Sequence, residues 1–248
     1  MATPKRWAVR EAADVTFYSL EDGSPIVTLN TLKMTDVETT GETVYAQGGR
    51  GNAKLVGFSS NREATMTLQD AIFDNAAMAM LTGNEIITGS KTIQKFEDVI
   101  IGAAGTATIT GALAAGGDFS VFELDGNVIG AELSTATLVG STLTAGAEGD
   151  RVRVYYEMDT PADTQTITVT SDKFGGSFKI VADVLVRDEL TKKDYYAQFI
   201  AHNAKIEDSF TFSFSPDGDP SVLDIPLELL KPAGSTTMWE FVIYGDEE

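Results

Sequence analysis

Ser177-Phe178-Lys179-Ile180-Val181-Ala182-Asp183-Val184 puts Phe178, Ile180, Ala182 and Val184 on one side and Ser177, Lys179 and Asp183, together with the apolar Val181, on the other, the period-two pattern of a β-strand. The pattern recurs outward in both directions. Upstream lie Glu63-Ala64-Thr65-Met66-Thr67-Leu68, Arg151-Val152-Arg153-Val154-Tyr155-Tyr156 and Thr166-Ile167-Thr168-Val169-Thr170. Downstream lie Ser209-Phe210-Thr211-Phe212-Ser213-Phe214 and Met238-Trp239-Glu240-Phe241-Val242-Ile243-Tyr244. Phe210, Phe212 and Phe214 fall on one face of their run, which marks that face as core. Gly, Asp, Asn and Ser clusters separate the runs. The chain reads as mainly β.

One helix stands against this background, from about Asn75 to Leu81. Asp74 or Asn75 is suited to its N-cap, and Gly83 to end it in a left-handed conformation. Ile72, Ala76, Ala79 and Met80 recur at spacings of three and four, predicting the face that packs on the sheet. Pro161, Pro216, Pro220, Pro226 and Pro232 argue against further long helices.

The 248 residues hold 18 basic and 37 acidic side chains, a formal charge of −19. Such a chain repels phosphates, so adhesive nucleic-acid binding is disfavoured. No cysteine is present, which removes disulfides, thiolate chemistry and zinc-cysteine sites. With 43% hydrophobic residues the chain has ample material for a core. No run approaches the ~18 apolar residues of a membrane span. The opening residues mix Arg10, Glu11 and Asp14 where a signal peptide needs an apolar segment, so a protein finished in the cytoplasm is expected.

The charge is uneven: residues 1–95 carry a net −2, residues 96–170 a net −9 and residues 171–248 a net −8. The middle is also rich in Gly, Ala and Thr, with Gly116-Gly117-Asp118 and Asp125-Gly126-Asn127 as hairpin turns. This pattern predicts an inserted small β subdomain over about 103–160. Residues 1–102 and 161–248 then form the main β domain. A set of long hairpins on the main sheet is the alternative.

The usual catalytic signatures are missing. No Gly-x-Ser-x-Gly elbow surrounds any serine, and the single His202 lies in the strand-like Gln198-Phe199-Ile200-Ala201-His202-Asn203-Ala204, where a structural role is expected. Gly48-Gly49-Arg50-Gly51-Asn52-Ala53-Lys54 lacks the Ser or Thr that completes a phosphate loop, and a strand-like run follows it. Its glycines suit a flexible or tightly bent connection that docks on a neighbour. Asp217-Gly218-Asp219, with Asp224 beyond, departs from a calcium loop and suits a proline-flanked turn. No catalytic residue, cofactor or metal is assigned, and the chain is not expected to be an enzyme.

The stretch from Tyr45 to Ala71 combines a glycine-rich basic loop, the Gly57-Phe58 turn, a strand alternating around Thr65 and Thr67, then Asp70 and a short helix ending at Leu81-Thr82-Gly83-Asn84. This order resembles the tail tube proteins of tailed bacteriophages. The closing run Ala204 to Phe214, followed by Ile225-Pro226-Leu227-Glu228-Leu229-Leu230, is similar to the last sheet of such proteins. The resemblance covers about half the chain, and the Gly- and Thr-rich middle departs from it.

The resemblance implies a tail-tube-like β-sandwich or barrel with one flanking helix, whose copies form hexameric rings that stack as a hollow tube. Assembly would take place in the cytoplasm of the infected bacterium, with other phage tail proteins as partners and the virion tail as destination. Heterologous contacts close into such rings. Gly48, Gly49, Arg50, Gly51, Asn52, Lys54 and Arg62 are the candidate inter-subunit contacts, with Pro4 to Arg10 as a second candidate arm. DNA would pass an acidic lumen without specific binding, and the middle subdomain would project outward. The alternative from another class is a virion decoration or host-surface binding module, whose middle subdomain recognises carbohydrate or protein.

Overall fold

The computed structural model describes residues 3–9, 11–211 and 222–246. Those residues are mainly β with one short α-helix, as the alternation predicts. Contacts divide the chain into two compact units, one of Met1–Ile86 with Ile167–Glu248 and one of Ile87–Thr166.

The first unit begins with β1 (Trp7–Val9), β2 (Asp14–Tyr18), β3 (Pro25–Leu29), β4 (Leu32–Gly48), β5 (Ala53–Asp70) and α1 (Asn75–Thr82). The second holds β6 (Ile87–Thr88), β7 (Thr92–Ile100), β8 (Thr106–Thr108), β9 (Phe119–Asp125), β10 (Val128–Glu132), β11 (Thr137–Val139), β12 (Thr142–Thr144), β13 (Arg151–Asp159) and β14 (Gln165–Thr166). The first then resumes with β15 (Ser177–Asp188), β16 (Asp194–Ile206), β17 (Leu223–Leu229) and β18 (Trp239–Asp246).

In the first unit a nine-stranded antiparallel sheet runs β3-β2-β15-β16-β17-β5-β4, with β1 added to β15 and β18 to β16. Register brings apolar partners onto one face: Phe17 faces Ile180, Met66 faces Leu227 and Leu68 faces Ile225, all buried. Helix α1 contributes Ala77, Met78, Met80 and Leu81 to that core. Asp74 caps it by accepting from the amides of Ala76 (2.6 Å) and Ala77, and Gly83 ends it at φ +65°. Ile72 does not join the packed face. It precedes the N-cap, is 60% exposed, and so falls outside the helical periodicity that its spacing suggested.

Two further expectations require correction. Of the Thr166–Thr170 run only Thr166 lies in a strand, the two-residue β14, and beyond it Asn84 donates to the Thr168 carbonyl at 3.0 Å and approaches the Thr170 hydroxyl at 3.5 Å. Ser209, Phe210 and Thr211 are outside any strand, although Phe210 packs partly buried against the main core. Phe212, Phe214 and Asp217-Gly218-Asp219 lie outside the described residues.

The second unit packs the sheet β10-β9-β13-β7 and the sheet β11-β12-β8 around Val121, Val152, Val154, Leu143 and Tyr156. Asp125-Gly126-Asn127 does turn the β9–β10 hairpin. Gly116-Gly117-Asp118 makes a turn but no hairpin, since β8 pairs with β12 while β9 pairs with β10 and β13. The chain enters this unit on β6 and leaves on β14, which pair with each other.

Candidate assembly interface

The β4–β5 hairpin pairs from Leu32 opposite Asp70 to Gly48 opposite Ala53. Its root belongs to the main sheet, where Ala64, Met66, Leu68 and Asp70 are buried. Beyond Glu63 the alternation of burial stops and nearly every residue is exposed on both faces. The outer part of β4, from Thr40 to Gly48, extends by about 27 Å at ~3.4 Å per residue. The hairpin is thus an arm.

A β-bulge marks where the arm departs. Gly41 on β4 opposes both Asn61 and Arg62 on β5, and Asn61 takes φ +48°. A left-handed residue in such a bulge bends the ribbon and increases its twist. Asn is one of the few side chains that adopts this conformation readily, and its amide donates to Glu42 Oε2 at 2.8 Å.

The two faces of the arm differ. Val44 pairs with Phe58 and Ala46 with Val56, so these four side chains share one face. Val44 and Phe58 are each 61% exposed and Val56 52%. On the other face the Tyr45 ring lies against Gly57, where an added Cβ would come within 3.2 Å of it. Lys54 Nζ sits 4.0 Å above the same ring, a cation–π contact. Gly49 and Gly51 make the tip at φ +79° and +93°, and Asn52 closes it by donating to the Gly49 carbonyl at 3.1 Å.

All seven residues singled out from the sequence therefore lie on this arm. Gly48 and Lys54 are strand residues rather than loop residues, Gly49 to Asn52 form the tip, and Arg62 stands at the bulge. Arg50 projects from the tip, exposed. Sequence reasoning missed β4 and the apolar face of Val44, Ala46, Val56 and Phe58. The available signal was the apolar content of both limbs flanking the glycine turn.

The second candidate arm is docked within its own unit. Trp7, Ala8 and Val9 pair with β15, and the Trp7 ring stacks on Phe241 with centroids 5.1 Å apart. Arg6 pairs with Glu189 at 2.7 Å. Arg10 lies outside the described residues.

Electrostatically the arm is the inverse of the chain. Residues 41–62 hold three basic side chains and one acidic, a net +2 on a protein of −19. The exposed apolar and cationic side chains of the arm offer the chemistry of association. His202 Nε2 lies 3.0 Å from a carboxylate oxygen of Glu240. Asp224 is engaged by Gln69 at 2.8 Å. Among the described residues no three acidic or histidine side chains gather as metal ligands, and no helix is long and apolar enough to cross a membrane.

The YomU/Tube protein family model matches residues 7–242. The SPbeta prophage-derived uncharacterized protein YomU of Bacillus subtilis (strain 168) is 24% identical over 163 residues, which are 66% of this chain and 60% of that protein. The chain thus spans less than two thirds of that relative's length. A match extending across both described units, together with a prophage relative, agrees with the tail-tube resemblance of the sequence, and the chain belongs to the YomU/Tube protein family.

Proposed function

We propose that this protein is a structural subunit of a phage tail tube, and that its β4–β5 arm docks onto another copy during assembly. The observation that carries the reading is the arm's exposed apolar face of Val44, Ala46, Val56 and Phe58. A two-stranded ribbon is only marginally stable alone, and an apolar face on such a ribbon is stabilised when a neighbour covers it. The net +2 of the arm against a strongly acidic remainder adds attraction between unlike surfaces of identical subunits. An arm that meets a different surface of its neighbour makes a heterologous contact, which closes into a ring or propagates. Hexameric rings stacked into a tube, with DNA passing through an acidic lumen, are the assembly this reading entails.

Negative-stain electron microscopy of the purified chain at rising concentration and salt tests it, since screening relaxes repulsion between subunits of charge −19. Rings or hollow tubes are expected. Particles that remain monomeric under every condition, with or without a short preformed tube as seed, would overturn the reading.

A further inference from the structure

In the second unit one face of the sheet β10-β9-β13-β7 packs on the core, and the opposite face is built as three rows read off the register. The central row is Phe96, Tyr155 and Ser120. Phe122 also touches Tyr155, and both phenylalanine rings have their centroids 6.0 Å from that of Tyr155. Phe96 is 57% exposed, so the aromatic floor is open to solvent.

Polar groups border this floor on two sides. On one side Gln94 faces Glu157, and Glu157 in turn accepts from the Asp118 amide at 3.2 Å. On the other, Arg153 lies over Phe96 at 5.0 Å and is held by Asp98 through two bonds of 2.6 and 2.9 Å. The bidentate pair fixes Arg153 and satisfies its charge within the sheet. A cleft of about 580 Å³ is lined by these two rows and by Lys95, Phe119 and Tyr156 between them, with Lys95 held by Glu97 at 3.1 Å.

We propose that this face binds a neutral saccharide. A pyranose ring has a face of C–H groups and a rim of hydroxyls. The C–H face matches the negative face of an aromatic ring, and the hydroxyls match carboxylate, amide and hydroxyl groups set beside it. The cleft supplies both, an apolar floor with a few polar groups beside it. Charge selects the class of saccharide. The second unit carries eleven acidic and four basic side chains, a net −7 that opposes phosphate-bearing or uronic-acid polymers. Neutral hexose chains meet no such barrier. All the residues named for this site belong to the second unit.

The test uses the full-length chain on a neutral-glycan array, followed by titrations monitored by amide chemical shifts. The probes are maltotetraose, chitotetraose and laminaritetraose, with a heparin tetrasaccharide and tetramethylammonium as charged comparisons. A neutral oligosaccharide is expected to saturate, with shifts concentrated on Phe96, Ser120 and Tyr155. Phe96→Ala should weaken it by about tenfold with an unchanged melting midpoint, and Gln94→Ala by a few-fold. Three results would each overturn the proposal. They are no saturable neutral glycan on the array, saturation by tetramethylammonium or heparin alone, or wild-type shifts that map away from these three residues.

Discussion

Asn61 and Glu42 lie across the bulge at the base of the β4–β5 arm, with the Asn61 amide 2.8 Å from Glu42 Oε2 and the Asn61 backbone at φ +48°. The bond joins the only left-handed residue of β5 to the strand opposite, immediately beyond Gly41. It therefore ties the direction of the arm to the register of its root.

Substitution at this position separates conformation from hydrogen bonding. Asn61→Gly keeps the backbone geometry and loses only an exposed bond, so assembly should persist with faster amide exchange in the arm. Asn61→Val strains a left-handed position by about 1–2 kcal/mol, and assembly should fall sharply. Sedimentation of polymer from monomer, together with hydrogen exchange of residues 42–60, checks both.

Phe58→Asp and Val44→Asp should abolish polymerisation while leaving the monomer folded. Both side chains are exposed in the isolated chain, so the melting midpoint should stay within about 0.5 kcal/mol equivalent of the parent. Differential scanning calorimetry and electron microscopy of the same samples give the two readouts.

Glu97 makes the second unit acid-sensitive. Burial opposes its charge, but the Tyr156 hydroxyl, the Thr110 amide and hydroxyl, and Lys95 at 3.1 Å outweigh that penalty and hold its carboxyl at about 2. A carboxyl held below its unfolded value of 4.5 adds stability that is complete above that value, and the stability is lost as pH falls from there toward 2. Melting of the full chain should show a transition whose midpoint drops across that window. Glu97→Gln should lower the midpoint at pH 7 by about 1–3 kcal/mol equivalent and flatten the acid dependence.

Gly83→Ala should destabilise the first unit. Gly83 sits at φ +65°, and a Cβ there would stand 2.2 Å from the Phe174 carbonyl oxygen. Conformational strain and a clash with backbone act together, for a loss of more than about 2 kcal/mol measured by urea denaturation.

Where side chains alternate and one face is buried, sequence and structure agree. Ser177 to Val184 lies within β15, and Met66 and Leu68 alternate with Thr65 and Thr67 in β5. The helix was legible because its ends carry their own chemistry, Asp74 at one and Gly83 at the other. Strand β4 was not legible. Asp36, Glu38, Thr39, Thr40, Gly41 and Glu42 give no apolar period, since that strand is held by pairing with β5 and buries little of its own. Thr166 to Thr170 misled for the opposite reason. Its alternation is regular, but a side chain distant in sequence, Asn84, takes the Thr168 carbonyl in place of a partner strand. For the arm, the residues were legible while their shape was not, because exposure on both faces is a tertiary fact.

The chain enters and leaves the second unit through paired strands, β6 and β14. Gly89 donates to the Thr164 carbonyl at 2.9 Å, so 74 intervening residues begin and end at one rung of a ladder. An Asn-Gly turn placed between Gly89 and Thr164 closes that rung as a two-residue hairpin. Because the ends already meet, the length of whatever lies between them adds only a slowly growing loop-closure cost, about 0.6 kcal/mol per doubling for a flexible insert. A shorter or different insert closed at this rung is expected to leave the β6–β14 pairing in place.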